Sequence, residues 1–426
     1  MAAAVASPLA AVPERTVALV DWNWGGHHPT YFAHFVLALE QLGVRVLALC
    51  PQPEEARRAV SGLRKVSGLT SASASTDFRE VPRLSGGRWL PSRLFAAKQT
   101  IKRFYGIDRF VRQWQAETGT AACEIFYSCM YEWDFERFKY AQPFLVFQWS
   151  GLYMRAAALP SGEARSNERH INPQVDRISQ DRRLQGLAIL DEGIRAALAE
   201  RIGRNVVVFP DFTDERLPKT RMESQLAERL RAFAGGRPIV GLFGYLQRSK
   251  GLTTFCAAAQ NPALAHVCFA VVGEVEWLSF GAQERHAIQK WFAEADNVWT
   301  HLARVPEEPA LNGLMAACDV LFGSYINFPY SSNILAKSAV LQKPVIVSDG
   351  SLMAERVRQF GMGEIIPQED PAAAAEAILK ILQNVEAWMQ RHRPAWADYR
   401  RQHCFEALKL AFAKIYPQPD EGLALR

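Results

Sequence analysis

The chain is poor in cysteine, has no long apolar run and carries almost no charge bias. Its seven cysteines (Cys50, Cys123, Cys129, Cys256, Cys268, Cys318 and Cys404) include no CxxC pair. That argues against a zinc site and for reduced, packed thiols in a cytoplasmic protein. No apolar stretch reaches the roughly 18 residues expected of a membrane-spanning helix. The net charge is only +5, with no lysine-rich tail and no recognised nucleic-acid module, so a small anion suits the chain and nucleic acid is not expected. Residues 1–14 are alanine-rich, interrupted by Pro8 and without a basic leader, and read as a loose extension rather than a signal peptide.

What is present is an ordinary globular composition, 49% hydrophobic and 22% charged over 426 residues, enough for two cores. Apolar strands alternate with helices throughout. Thr16 to Trp22 reads as a strand, Asn23 to His28 (NWGGHH) as a glycine loop, Pro29 to Leu42 as a helix and Val44 to Cys50 as the next strand. Further strands are expected at Glu124–Tyr127, Leu145–Gln148, Leu187–Leu190 and Asn205–Phe209, with a helix from Asp191 to Arg201. A turn-rich connector near 215–235, containing a charged helix Arg221–Phe233, leads to a second set of strands at Ile239–Phe243, Val267–Val272, Val298–Leu302, Val320–Tyr325 and Pro344–Val347. The pattern predicts two doubly wound α/β domains, 15–220 and 235–385, facing across a cleft. Residues 386–426 form an aromatic-rich helical tail that would pack back across both.

Open α/β sheets bind ligands at the carboxyl ends of their strands, and three loops there stand out. Gly25 and Gly26 would let a ligand approach the backbone. Arg248 and Lys250 follow the strand Ile239–Phe243 and the turn at Gly244. Ser331, Ser332 and Asn333 lie where a short helix is expected to begin, at Ser332 or Asn333, with a hydroxyl on its free backbone donors, and such an end would attract phosphate. Cations and helix-end amides of this kind stabilise a departing diphosphate, so Arg248 and Lys250 are the expected catalytic pair. His27, His28 and His34 crowd the glycine loop without cysteine or aspartate at ligand spacing, so no metal is expected there. Between Arg88 and Arg112 seven basic residues face one acid, and Leu94, Ala97, Ile101 and Phe104 recur at helical spacing. This basic amphipathic helix suits an anionic acceptor, peripheral contact with an anionic membrane surface, or equally a solvated outer face.

FGYLQRSKG, VVGEVEW, DNVWTHLARVPEE, LQKPVIVSDGS and GMGEIIPQEDPAAAAEAI, with the NWGGHHPTY loop and VVVFPDFTD, resemble the retaining GT-B glycosyltransferases of family 4 (glycosyl transferases group 1). The resemblance implies two facing Rossmann-like domains and transfer of a sugar from a nucleotide-sugar donor to a glycan, lipid-linked or small-molecule acceptor, as in polysaccharide or glycoconjugate biosynthesis. It implies no cofactor and no essential metal. Lys250 stands where the family's diphosphate-binding lysine stands. Tyr245 occupies the position of the family's arginine, leaving Arg248 to substitute three residues later. Two family glutamates correspond to Pro329 and Lys337, neither of which can accept hydrogen bonds from sugar hydroxyls. Glu274 and Glu276 are candidate substitutes, and Lys337 could pair a phosphate or instead bridge to the body of its domain. The late-strand histidine is replaced in the region of Ser150, which with His27 and His28 is placed on the acceptor side. A non-catalytic GT-B protein that binds nucleotide or glycan is the alternative, and a GT-B sugar epimerase a third reading.

Overall fold

The structure is a computed structural model that describes residues 15–67, 76–82, 92–135, 138–159 and 170–417. The expected extension 1–14, Arg88 of the basic stretch and the end of the tail, 418–426, lie outside the described residues.

Nine strands fall in the first half: β1 (Thr16–Val20), β2 (Arg45–Cys50), β3 (Thr76–Glu80), β4 (Glu124–Met130), β5 (Trp149–Tyr153), β6 (Ala157–Ala158), β7 (His170–Ile171), β8 (Leu184–Ile189) and β9 (Asn205–Val208). All but β6 and β7, a short antiparallel pair, form one sheet in the order β3-β2-β1-β4-β5-β8-β9, and every pairing in it is parallel. The second half contributes β10 (Ile239–Phe243), β11 (Cys268–Val272), β12 (Val298–His301), β13 (Val320–Gly323), β14 (Val345–Ser348) and β15 (Gly363–Ile366). These run parallel in the order β12-β11-β10-β13-β14-β15. Continuous apolar runs make both sheets: β1, β10, β11 and β13 are buried at every residue, as strands covered by helices on both faces must be. In each sheet the strand order reverses next to the first strand, between β1 and β4 and between β10 and β13. Those two switch points face the ligand side of the fold.

The tail crosses between the domains as two helices rather than one. Val385–Gln402 buries Trp388, Trp396 and Tyr399 in the second core. After a break at His403 and Cys404, Phe405–Ile415 and Tyr416 place Leu408, Ala411, Phe412 and Tyr416 in the first. Phe412 meets Phe209, Phe126 and Phe35 with ring centroids 4.8, 5.1 and 5.2 Å apart.

Other local expectations shift for identifiable reasons. The strand expected at Leu145–Gln148 begins only at Trp149, because the Asp108 carboxylate takes the N–H groups of Val146 and Phe147 that a strand would direct to its neighbour. The helix expected from Asp191 opens as a 3-10 turn, Glu192–Ile194, capped by the Asp191 side chain, and becomes α-helical at Arg195–Ile202. The helix Arg221–Ala234, started by a Thr220–Glu223 capping box, is part of the second domain: Leu230 and Ala234 enter its core. The basic segment is a 27-residue helix, Ser92–Thr118, which buries Phe104, Ile107, Val111 and Trp114 and leaves Arg109 and Arg112 exposed.

Candidate functional site

Because β10 pairs directly with β13, the loops that follow these strands meet at the second switch point. Their backbones touch where only glycine fits. Gly251 has φ +76, and a Cβ there would lie 2.1 Å from the Ser324 carbonyl oxygen. The Ser249 carbonyl accepts from the Ile326 N–H at 2.8 Å, which fastens the two loops together. Lys250 is thereby held with Nζ 3.9 Å from the ring centre of Tyr325 and 4.9 Å from that of Phe328. Among the described residues it makes no ion pair.

Arg248 is differently placed. Its Nε donates to Glu284 and its Nη2 to Glu369, both at 2.8 Å, so two carboxylates hold the guanidinium that was expected to face a diphosphate. Glu369, with φ +57, lies in the loop after β15 and had no signal of its own in the sequence beyond its place in PQEDP. Gly244 turns with φ +118 beside Gly273, whose Cβ would come 1.8 Å from the Gly244 carbonyl. Tyr245 and Glu274 are exposed on this rim, and the Tyr245 hydroxyl donates to Glu276.

The first domain presents its glycine loop across the cleft. A Cβ on Gly25 or Gly26 would have no atom within 4 Å, and Gly26 has φ +59, so the backbone here is bare and turned. Asp21, at the end of β1, fixes the loop: it accepts from the Asn23 N–H at 2.8 Å, the Ser128 hydroxyl at 2.7 Å and Nδ1 of His28 at 2.9 Å. The other ring nitrogen of His28 meets the Tyr131 hydroxyl at 3.2 Å. His27 packs face to face on His28 at 5.0 Å. Burial and the neighbouring His28 push His27 down to about 4, with a smaller push from the Lys250 ammonium, so the ring is neutral at neutral pH. His27, His28 and Cys129 bring ligand-type atoms within 4.8 Å of one another. Both His28 nitrogens are already engaged, however, and burial pushes the Cys129 thiol far up, which leaves a poor donor set for a metal.

Of the remaining expected donor residues, Ser331, Asn333 and Lys337 are tied to the connector, and Ser332 is tied within its own domain. The helix Ile334–Leu341 follows Asn333 without a side-chain cap. The Asn333 amide is committed to the connector, accepting from Thr213 at 2.8 Å and donating to the Phe212 carbonyl at 2.9 Å. Ser331 donates to Asp211 and accepts from Arg356 at 2.7 Å, while Ser332 meets the Tyr325 hydroxyl at 3.3 Å. Lys337 is 3% exposed, and its ammonium donates to the Asp214 carbonyl (3.0 Å), Glu308 (2.8 Å) and the Asn312 side-chain oxygen (2.5 Å). Of its two expected roles, the bridge to the body of the domain is the one realised. Ser150 lies in the core of the first domain with its hydroxyl buried; its strand neighbour Phe126 packs under Phe412 and Tyr416 of the tail. It does not reach the cleft.

Sequence reasoning missed the hub beside these residues. The fully buried Arg356 of the second domain donates to Glu192 (2.9 Å) and to the Leu190 carbonyl (2.6 Å) of the first, and lies 3.5 Å from Asp211. Asp211 also accepts from the Tyr31 hydroxyl at 2.8 Å, and its N–H donates to Nδ1 of His403 at 3.0 Å, so connector, both domains and the tail meet at one residue.

Two parallel Rossmann-like sheets facing across a cleft, with a tail that crosses back, define a GT-B protein. The family model for glycosyl transferases group 1 matches residues 237–384, which makes the second domain a domain of that family. No curated protein matches the chain in sequence. Among solved structures the chain is similar to sucrose-phosphate synthase from Thermosynechococcus elongatus, with 17% identity, 97% of this chain and 100% of that one covered, and a TM-score of 0.63. It is similar to a glycosyltransferase from Rickettsia africae (12% identity, 97% and 100% covered, TM-score 0.62). It also resembles HepE of Anabaena in complex with UDP and glucose (13% identity, 95% and 99% covered, TM-score 0.62).

Proposed function

We propose that this chain is a glycosyltransferase that moves a sugar from a UDP-sugar to an acceptor hydroxyl, with retention at the anomeric carbon and without an essential metal. The observation that carries this reading is Lys250: a cation without a carboxylate partner among the described residues, fastened by Gly251 at the switch point of the second sheet. As the bond from C1 to the diphosphate oxygen breaks, its electron pair leaves with the diphosphate, and Lys250 stabilises that charge in the transition state. The acceptor oxygen bonds to C1 on the same face and its proton passes to the departing phosphate oxygen. The choice of uridine draws support from HepE, solved with UDP and glucose and with UDP-glucose. The protein works in the cytoplasm, in keeping with seven free cysteines, six of them buried, and the exposed Arg109 and Arg112 give it a face for peripheral contact with anionic lipid. Among the described residues no helix is long and apolar enough to cross a membrane.

The loss of both family carboxylates favours one rival, a GT-B protein that binds UDP-sugar without turning it over. Pro329 is buried, Lys337 is consumed by the connector, and no carboxylate replaces them in that loop. Proton NMR of the enzyme with UDP-glucose, UDP-galactose or UDP-N-acetylglucosamine in EDTA separates the two. The transferase consumes one donor and releases the α-anomer first, and Lys250→Ala abolishes this. Binding without turnover would establish the rival, and a β-product would refute retention.

A further inference from the structure

The cleft holds a second constellation that the donor reading does not use. β4 and β5 are neighbours, with Met130 opposite Tyr153, so the segments that leave them emerge side by side at the carboxyl edge of the first sheet. Tyr131, Glu132 and Trp133 follow β4 and Arg155 follows β5. Tyr131 and Trp133 stack with centroids 4.5 Å apart. The Arg155 guanidinium lies 5.7 Å from the Tyr131 ring, 5.3 Å from the Trp133 ring and 5.3 Å from the ring of Tyr330, which comes from the second domain. Arg155 also donates to one Glu132 oxygen at 3.2 Å. The other Glu132 oxygen is shielded from solvent and has no hydrogen-bond partner among the described residues. Trp133 is half exposed, so part of its indole remains open beside the Tyr131 ring and the Arg155 guanidinium.

We infer that Glu132, Trp133, Arg155 and Tyr330 form the acceptor subsite and that the acceptor is a saccharide. The word acceptor rests on the transferase reading above; saccharide binding does not. A sugar ring presents apolar C–H faces, which an exposed indole covers, and an equatorial belt of hydroxyls, which need acceptors such as an unsatisfied carboxylate oxygen. A buried oxygen left without a partner is the group such a hydroxyl would satisfy. The same carboxylate disfavours the competing class, a lipid phosphate. Arg155 is already paired, and a phosphate at this position would meet the Glu132 charge without a free cation to offset it. The subsite is also continuous with the glycine loop: the Tyr131 hydroxyl touches His28, and His28 stacks on His27.

The test is saturation-transfer NMR on the full chain with UDP present, using maltose, lactose, N,N′-diacetylchitobiose and sucrose as probes. At least one disaccharide receives saturation on its ring protons. Trp133→Ala weakens that binding about tenfold, and Glu132→Gln, which keeps the size of the side chain, weakens it measurably. UDP affinity, measured calorimetrically on the same samples, stays at the wild-type value in Trp133→Ala and Glu132→Gln and so shows that these variants are folded. A wild type that binds UDP and none of the four sugars, or sugar binding that survives Trp133→Ala, overturns the inference. A wild type that binds sugar but not UDP leaves the subsite standing and refutes the donor reading instead.

Discussion

Lys337 stands at a position where the resembled family carries a glutamate, so Lys337→Glu would seem a restoration. The structure predicts the opposite. The ammonium serves three acceptors, of which the Asp214 carbonyl and the Asn312 side-chain oxygen are buried and the Glu308 carboxylate is partly exposed. Removing the donor orphans two buried acceptors at about 1–3 kcal/mol each. A carboxylate in its place adds repulsion from Glu308, and loss of one partner of a buried pair costs about 3–5 kcal/mol. With roughly 2–4 °C per kcal/mol for a domain of this size, Lys337→Glu lowers the melting temperature by at least about 10 °C and does not improve UDP-glucose affinity. Lys337→Met, which keeps the length of the stem and adds no charge, falls in between. Thermal melts by circular dichroism with parallel calorimetry measure both quantities. A Lys337→Glu protein that melts within about 2 °C of wild type, or binds UDP-glucose more tightly, refutes the assignment of this residue to the domain link.

Arg248→Ala weakens UDP binding much less than Lys250→Ala, since Glu284 and Glu369 already hold the guanidinium; calorimetry on both variants gives the ratio, and equal losses contradict the pairing. Gly251→Ala forces a Cβ against the Ser324 carbonyl at a backbone angle that disfavours it, so it displaces Lys250 and lowers UDP affinity along with stability; a variant with wild-type affinity argues that the loop does not set the cation. Burial, with help from Arg356, pushes His403 down to about 4, and burial with His28 does the same to His27. Unfolded imidazoles bind protons below about 6.5, so the unfolded chain takes up more protons in the window above the folded values, and stability falls as the pH drops through it, by up to about 3 kcal/mol per histidine. His403→Asn, which can still accept from the Asp211 N–H, flattens that slope in urea melts at stepped pH, and an unchanged slope removes His403 from the account.

The architecture was legible because its strands are apolar runs separated by helical periodicity; Ile239–Phe243 stands where the sequence places it. The strands that escaped notice lack that signature. β3, TDFRE, is an edge strand with one buried residue, and β15, GEII, is four residues long. The site was legible only where chemistry is local. The glycines and Lys250 announce themselves within a few residues. The commitments of Arg248 and Lys337 depend on Glu369 and Asp214, each more than 100 positions away, and nothing in one sequence reports such a pairing. Ser150 shows the same limit in reverse: its place at a late strand of the first domain suggested the cleft, whereas its register with Phe126 turns it under the tail.

The central claim is that Lys250 and the glycine loop bind the diphosphate of a UDP-sugar, and isothermal calorimetry of UDP in EDTA tests it most directly. The account predicts metal-free binding to the full chain that Lys250→Ala weakens at least about tenfold with little change in melting temperature. No binding by the wild type, or equal affinity in Lys250→Ala, would contradict it.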